Sequence, residues 1–355
     1  MNLRLVFTVL AAVLLNATSG VAQSYPDYFI PQHLRPADPQ MAAMGLTGVA
    51  HRTGVLAAYS NPAGIADVKD LQFAYTRHHP ILQYFTTDEY YTGQHTFSLA
   101  VPVTKFFTIG AYYWNLGFGE VEILKINGYG GKKTKIGIRE YLLTPVFLLA
   151  LDSTTNLHIG ANVKNLKYYG LNDADSWLYD LGFRINHELS TQVLSFGATI
   201  HNLGSKLKVE GSTREYEMYR WYKVGFAFGN TNAKSSKNKK ITYLWTVEYQ
   251  KNLNQKNLNM DENRISTGYG KLEALNTGFE LRLFQHLFGQ IGYVNDVSSS
   301  KNYLEYQGFT YGFGFETPEP LGEKIPVTLS AMYGRSIQLG TLDVNIFSAG
   351  LGFHF

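Results

Sequence analysis

From Leu71 onward, apolar side chains recur at every second position in segments of about ten residues, with turn residues between them. The segment 275 to 284 shows the pattern well: Leu275, Thr277, Phe279, Leu281 and Leu283 share one face, and Asn276, Gly278, Glu280 and Arg282 share the other. The same phase recurs in Ile241, Tyr243, Trp245, Val247 and Tyr249, and again in Phe309, Tyr311, Phe313 and Phe315. Alternation alone also suits a soluble sandwich. The density of large apolar groups on one wall instead favours a sheet that faces lipid. The pattern predicts strands at 71–77, 94–102, 105–117, 136–150, 155–168, 176–187, 191–203, 215–229, 240–251, 273–284, 287–296, 306–316, 326–336 and 344–355.

The expected fold is therefore all-β, a transmembrane antiparallel β-barrel of about 14 strands, an even count that brings both termini to one side of the membrane. With the first strand running outward, the tight links Val103-Thr104, Leu151 to Thr154, Glu188 to Ser190 and Gln285-His286 fall on the periplasmic side. The longer links 78–93, 118–135, 204–214 and 252–272 fall outside, as in bacterial barrels. Links 230–239 and 317–325 are long for the periplasmic side.

Arg4 followed by the uncharged apolar run Leu5 to Leu15, and then Gly20-Val21-Ala22, predicts a signal peptide over 1–22 and a mature chain from Gln23. A run of that length is too short to anchor the chain as a helix. Export to the bacterial outer membrane is the expectation. At the other end, Phe347, Leu351, Phe353 and the terminal Phe355 alternate with small or polar residues. This resembles the signature read by the barrel-assembly machinery, because an apolar strand with an open edge can pair with an assembly factor.

Composition agrees with strands: 25 Tyr, 22 Phe and 34 Gly, with 17% charged residues. The absence of Cys excludes thiolate chemistry and a disulfide framework. A net charge of +3 gives no footprint for nucleic acid.

Ahead of the first strand, 39–68 lacks β alternation and holds Gly45-Leu46-Thr47-Gly48-Val49-Ala50 and then Tyr59-Ser60-Asn61-Pro62-Ala63-Gly64-Ile65-Ala66. Pro62 fixes its own φ and moves Asn61 out of the helical region, and Gly64 permits a left-handed turn, so a sharp bend is expected. Asn61 can bond its own backbone two residues on. A "GxxGVA" run followed by "Y-x-NPAG-I-A", together with the paired strands "NTGFELRLFQHLFGQIGYV", resembles the FadL, PorV and PorQ group of fourteen-stranded barrels. The resemblance implies that 23–69 folds inward as a hatch, with Asn61, Pro62, Ala63 and Gly64 in the lumen, and that 70–355 forms the barrel.

His158, Lys164, Asp180, Arg184, His201, Lys223, Glu248, Glu280 and Arg282 fall on the presumed lumen face. There they could line a polar path, hold the hatch by ion pairs, or simply fill the interior. On the lipid face an Arg or Lys near the midplane would cost about 2 to 4 kcal/mol.

Enzymatic signatures are missing: there is no Gly-x-Ser-x-Gly and no His-Glu-x-x-His, and no catalytic residue, cofactor or metal is expected. Gly130-Gly131-Lys132-Lys133-Thr134 lacks the first glycine of a phosphate loop, where Ile126 stands, and reads as a hairpin tip. His78-His79, near Asp88 and Glu89, could face a metal, but adjacent strand residues point apart, and solvated loop histidines are the expectation.

The resemblance implies two functions. One is an accessory role in type IX protein secretion in Bacteroidetes, as for PorV and PorQ, with a translocon barrel or cargo C-terminal domains as partners. The other is FadL-like passive transport of hydrophobic small molecules or fatty acids. No outer loop much exceeds about twenty residues, and only 82–92, with Tyr84, Phe85, Tyr90 and Tyr91, is greasy, which favours the first.

Overall fold

The computed structural model describes residues 38–78, 94–123, 132–170, 173–211, 215–216, 218, 220–231, 240–253, 273–297, 307–317, 326–338 and 342–353. The expected signal peptide, the greasy loop 82–92, His79 with Asp88 and Glu89, and the terminal Phe355 lie outside the described residues.

The strands are β1 Leu71–His78, β2 Gln94–Thr104, β3 Phe107–Ile123, β4 Lys132–Ala150, β5 Thr155–Tyr169, β6 Ala174–Leu189 and β7 Gln192–Gly204. Two short ones follow, β8 Leu207–Val209 and β9 Glu215–Tyr216. The second half comprises β10 Trp221–Gly229, β11 Ile241–Asn252, β12 Glu273–Leu283, β13 Leu287–Val294, β14 Gly308–Glu316, β15 Val327–Gln338 and β16 Leu342–Phe353. Each long strand pairs antiparallel with the next, β7 pairs with β10, and β1 pairs with β16 to close the ring. The result is a closed antiparallel barrel of fourteen strands, which leaves no unpaired edge.

Alternate residues turn their side chains outward. Phe97, Leu99, Val101, Leu143, Phe147, Leu149, Phe279, Leu281, Leu283, Phe309 and Phe313 are all exposed, around the whole cylinder. An apolar surface of that extent is unfavourable in water and suits the hydrocarbon of a bilayer. Among the described residues no helix is long and apolar enough to cross a membrane.

The tight links cluster at one end. Phe284 (φ 51°) and Gln285 (φ 67°) turn the chain between β12 and β13 with successive positive φ angles, the backbone hand that matches strand twist.

Three boundaries differ from the sequence reading. The expected strand 215–229 is two pieces, and only β10 belongs to the ring; β9 pairs with β8, which in turn pairs with the outer end of β6. Past an irregularity at Asn202 (φ 60°) and Gly204 (φ 129°), β8 runs on in the direction of β7 along β6, so β8 and β9 form a hairpin extension beyond the ring. The expected outer loop 118–135 is partly strand, since β3 runs to Ile123 and Lys132 to Thr134 open β4 instead of forming a hairpin tip. Beyond the lipid both faces of a hairpin meet water, so the apolar period disappears while the hydrogen bonds continue. Finally, His78 is 2% exposed at the end of β1, not a solvated loop histidine.

Candidate functional site

Residues 38–68 contain little regular structure: one short helix, α1 Pro39–Ala43, and two 3-10 turns, Val55–Tyr59 and Pro62–Asp67. Asp38 caps α1 by accepting from the Met41 amide at 2.9 Å, with Pro39 at the first position, where no amide hydrogen is needed.

The segment touches every strand of the ring. Helix α1 packs on β13 to β16, the first 3-10 turn on β1 and β2, and the second on β3 to β6. Between them, Val49 lies against β7 and β10, Glu248 of β11 binds the backbone, and Met44 lies against β12 and β13. A segment in contact with all fourteen strands is enclosed by them.

Inward glycines allow this approach. A Cβ on Gly160 would sit 2.6 Å from the Pro62 backbone, on Gly182 2.1 Å from Asn61 Oδ1, and on Gly197 2.2 Å from the Val49 carbonyl. Across the lumen, Gly278 and Gly292 meet Met44, and Gly334 meets Pro39 at 2.0 Å. Bare backbone on both sides of the wall thus meets the backbone of the segment.

Asn61 (0% exposed) is the knot of this packing. Its Oδ1 accepts from the Ala63 amide at 3.0 Å and caps the second 3-10 turn, while its Nδ2 donates to the carbonyls of Val49 (2.7 Å) and Phe183 (3.0 Å). One side chain therefore binds its own turn, the preceding loop and strand β6, with all three of these bonds buried. Pro62 and Ala63 follow in that turn. Gly64 does not take the left-handed conformation expected of it; it is needed because a Cβ would fall 2.5 Å from Ala57 Cβ and 2.7 Å from the Arg52 carbonyl.

The charged residues form three groups. On β11, Glu248 Oε2 accepts from the amides of Gly48 (2.7 Å) and Val49 (2.9 Å), and Oε1 lies 3.3 Å from Lys223 Nζ. On β5 to β7, Asp180 holds Lys164 at 2.8 Å and His201 at 3.3 Å, and accepts from Asn162, whose Nδ2 also donates to the Ala58 carbonyl. Asp180 sits where the β6–β7 register shifts, and its Oδ1 accepts from the Asn202 amide at 2.8 Å.

The third group links the segment to the wall near the tight-turn end. Arg184 pairs with Asp67 and donates to the Arg52 carbonyl (3.0 Å) and to His158 Nδ1 (2.7 Å), while Arg52 pairs with Asp38 at 3.2 Å. Gln40 donates to Glu280 at 3.0 Å, and Arg282 joins Glu280 (3.3 Å) to Glu316 (2.8 Å). Burial pushes the Asp67 carboxyl up, but Arg184 and then His158 outweigh it and hold it below its usual range. His51 lies beside this group, 4% exposed, with neither ring nitrogen bonded. Burial, then Arg52 and Arg184, lower its pKa to about 3, so it is neutral. A cavity of about 190 Å³ remains here, lined by His51, Arg52, Gln72, Glu280, Arg282 and Glu316 among others.

Above the segment, towards the long links, the lumen face of β3 to β6 becomes apolar. Trp114, Leu116, Ile138, Leu166 and Leu178 form a buried cluster closed by Leu207 of β8 and by Met218.

Of the residues singled out from sequence, His158, Lys164, Asp180, Arg184, His201, Lys223, Glu248 and Glu280 are buried, and Arg282 is half-buried. Sequence reasoning missed Asp38, Arg52, Asp67 and Asn162, which complete the groups; three of them lie in the segment without periodicity. On β16, Phe347 (50%) and Leu351 (40%) face outward and Phe353 is half-exposed.

No family model matches the chain, and no curated protein matches it. Solved structures do. The Pseudomonas putida toluene transporter TodX aligns at a TM-score of 0.50 and 12% identity, over 90% of this chain and 98% of that one. A deltaS2S3 mutant of the TodX monoaromatic hydrocarbon channel aligns at 0.51 and 12%, over 91% and 100%. A Pseudomonas aeruginosa FadL homologue aligns at 0.49 and 11%, over 92% and 99%. At this identity the likeness is one of fold: the chain shares the barrel architecture of the TodX channel structures.

Proposed function

We propose that this chain is a stoppered outer-membrane barrel in which 38–68 acts as a hatch, and that it serves protein export as an accessory of the type IX machinery. The observation that carries the stopper is the contact of one segment with all fourteen strands through buried bonds. A barrel filled in this way is a scaffold before it is a pore. The secretion role rests on the resemblance of the "Y-x-NPAG" segment to PorV and PorQ, and on outer links that do not much exceed about twenty residues in the sequence.

A second reading is favoured by the apolar character of the lumen around Trp114 and Leu166, which suits passage of a hydrophobic small molecule once the buried cluster opens. The named channels carry toluene or monoaromatic hydrocarbons, and this reading extends that chemistry class to the present chain.

Affinity purification from detergent-solubilised outer membranes separates the two. Recovery of a large translocon barrel or of cargo C-terminal domains supports the export role. Recovery of the barrel alone, with a bound hydrophobic molecule, overturns it in favour of uptake.

A further inference from the structure

Residues 38–68 divide into two parts. In 38–47, helix α1 runs into a cap in which the Leu46 amide donates to the Met41 carbonyl at 2.9 Å and Thr47 Oγ1 to the Met44 carbonyl at 2.7 Å. From Gly48 onward the backbone is held by other groups, beginning with Glu248, and the two 3-10 turns pack on each other.

The parts sit on the wall in different ways. Leu56, Ile65 and Val68 of the second part share an apolar core with Tyr112, Leu142 and Val146 of β3 and β4. Asn61 and Ala58 add buried bonds to Phe183 and Asn162. The first part rests on bare backbone: a Cβ on Gly292, Gly312 or Gly334 would fall 2.0, 2.6 or 2.0 Å from Gly45, Ala43 or Pro39. Its hydrogen bonds to the wall, among the described residues, run from Gln40 to Glu280 (3.0 Å) and through Thr310 Oγ1, which accepts from the Gly45 amide (2.8 Å) and donates to the Ala43 carbonyl (2.7 Å). An apolar core adds the burial of whole side chains to such bonds, so the first part leaves the wall more easily than the second.

A seam separates the two. Among the described residues one ion pair crosses it, Arg52 Nε with Asp38 Oδ2 at 3.2 Å, and beside the junction Met44 clusters with Val49 and Ala50. The cavity of about 190 Å³ lies on this seam, with Gln40 on one side and His51, Arg52, Val55 and Asp67 on the other. Neither nitrogen of the His51 ring is bonded there.

We infer that 38–47 is a gate that opens by itself along this seam, with the Asp38–Arg52 pair as its latch, while 48–68 stays on the wall. The inference rests on the stopper reading and adds a solute class to it. The surface uncovered is the backbone of Gly292, Gly312 and Gly334 with Thr310 and Glu280. It continues into a cavity whose wall is mostly polar, with Gln72, Arg282, Glu316, Ser330 and Ser348. Such a lining replaces the water around a small hydrogen-bonding solute and gives a hydrophobic one no apolar surface to bury. The gate therefore passes small polar solutes, on the side of the lumen across from Trp114 and Leu166.

Hydrogen exchange of the full-length protein in micelles tests the gate, and swelling of protein-loaded liposomes in arabinose tests the passage. In the wild type, the bonded amides of Ala42, Met44 and Leu46 should exchange at least about tenfold faster than those of Ala57, Asn61 and Gly64. Asp38→Asn keeps the helix cap, since Asn caps as well as Asp, but removes the charge of the latch. Exchange at 42–46 should then rise about ten- to a hundredfold with 57–64 unchanged, and arabinose should enter. Gln40→Ala, which cuts the tie to Glu280, should raise exchange at 42–46 about tenfold and covers the case of a poorly folding Asp38→Asn. Equal exchange of the two parts in the wild type, or equal acceleration of both in either variant, means that the segment moves as one unit; that overturns the gate and leaves the stopper intact. Unchanged exchange at 42–46 in both variants overturns it too, and faster exchange without arabinose entry overturns the polar passage. Free entry of arabinose through the wild-type barrel instead contradicts the stopper, and the gate falls with it.

Discussion

Removing Glu248 tests how the inner segment is held. In Glu248→Ala the Gly48 and Val49 amides lose their acceptor, and Lys223, 7% exposed, loses its counter-charge. A buried donor left without a partner costs about 1 to 3 kcal/mol, and breaking a buried ion pair costs about 3 to 5 kcal/mol. The terms overlap, since all the partners share one carboxylate, and a net loss of about 4 kcal/mol follows. At 1.4 kcal/mol per decade, the segment should open roughly a thousandfold more often. Hydrogen exchange of the purified protein in micelles reads this directly at residues 47–50, with the strand amides of β12 and β13 as an internal reference. Glu248→Gln keeps one oxygen acceptor and should fall between the two. If exchange at 47–50 in Glu248→Ala stays within about threefold of wild type, the carboxylate does not hold the segment, and the argument from its two short bonds is wrong.

Other outcomes follow from the same contacts. Gly182→Ala puts a Cβ 2.1 Å from Asn61 Oδ1 and 2.8 Å from Pro62; it should cost about 1 to 3 kcal/mol and loosen the second 3-10 turn, seen as faster exchange at 61–67, and unchanged exchange would contradict it. Acid should loosen the segment in two stages. His51, with its pKa depressed to about 3 from 6.5, leaves the unfolded chain to take the proton first, so stability drops as pH falls from 6.5 towards 3. Asp67, held low chiefly by Arg184, contributes stability above the ordinary carboxylate range that is lost as pH falls through its own lower value. His51→Phe should shrink the first stage and Asp67→Asn the second, measured by unfolding across pH; a flat profile in the wild type refutes both. Leu143→Arg, on the outward face at 52% exposure, should cost stability in lipid bilayers, up to the about 2 to 4 kcal/mol of a midplane site, and a gain in stability would mean that this wall does not meet hydrocarbon.

The strands were legible because the bilayer forces one face of each to be apolar, as in Leu275, Phe279, Leu281 and Leu283, and the fourteen of the ring follow from that period. The signal fails where that force ends. Val121 to Ile123 and Lys132 to Thr134 are paired strand above the lipid but read as loop, and Leu207 to Val209 were too short a run to register. The site was legible only on its wall side. Alternation put Asp180, Arg184 and Glu248 on one face, but their partners Asp67, Arg52 and Gly48 belong to a segment whose shape comes from tertiary bonds and not from a period. One usable signal went unread: inward positions of successive strands hold glycine, as at Gly160, Gly182, Gly197, Gly278, Gly292 and Gly334, where a barrel with an empty lumen would have no use for bare backbone.

Ion conductance of the purified barrel in planar lipid bilayers tests the central claim most directly. With 38–68 seated against all fourteen strands, the wild-type chain should show no open-pore current, and Glu248→Ala combined with Gly182→Ala should produce discrete openings. Steady large-pore currents from the wild-type chain, unaltered by those substitutions, would contradict the account.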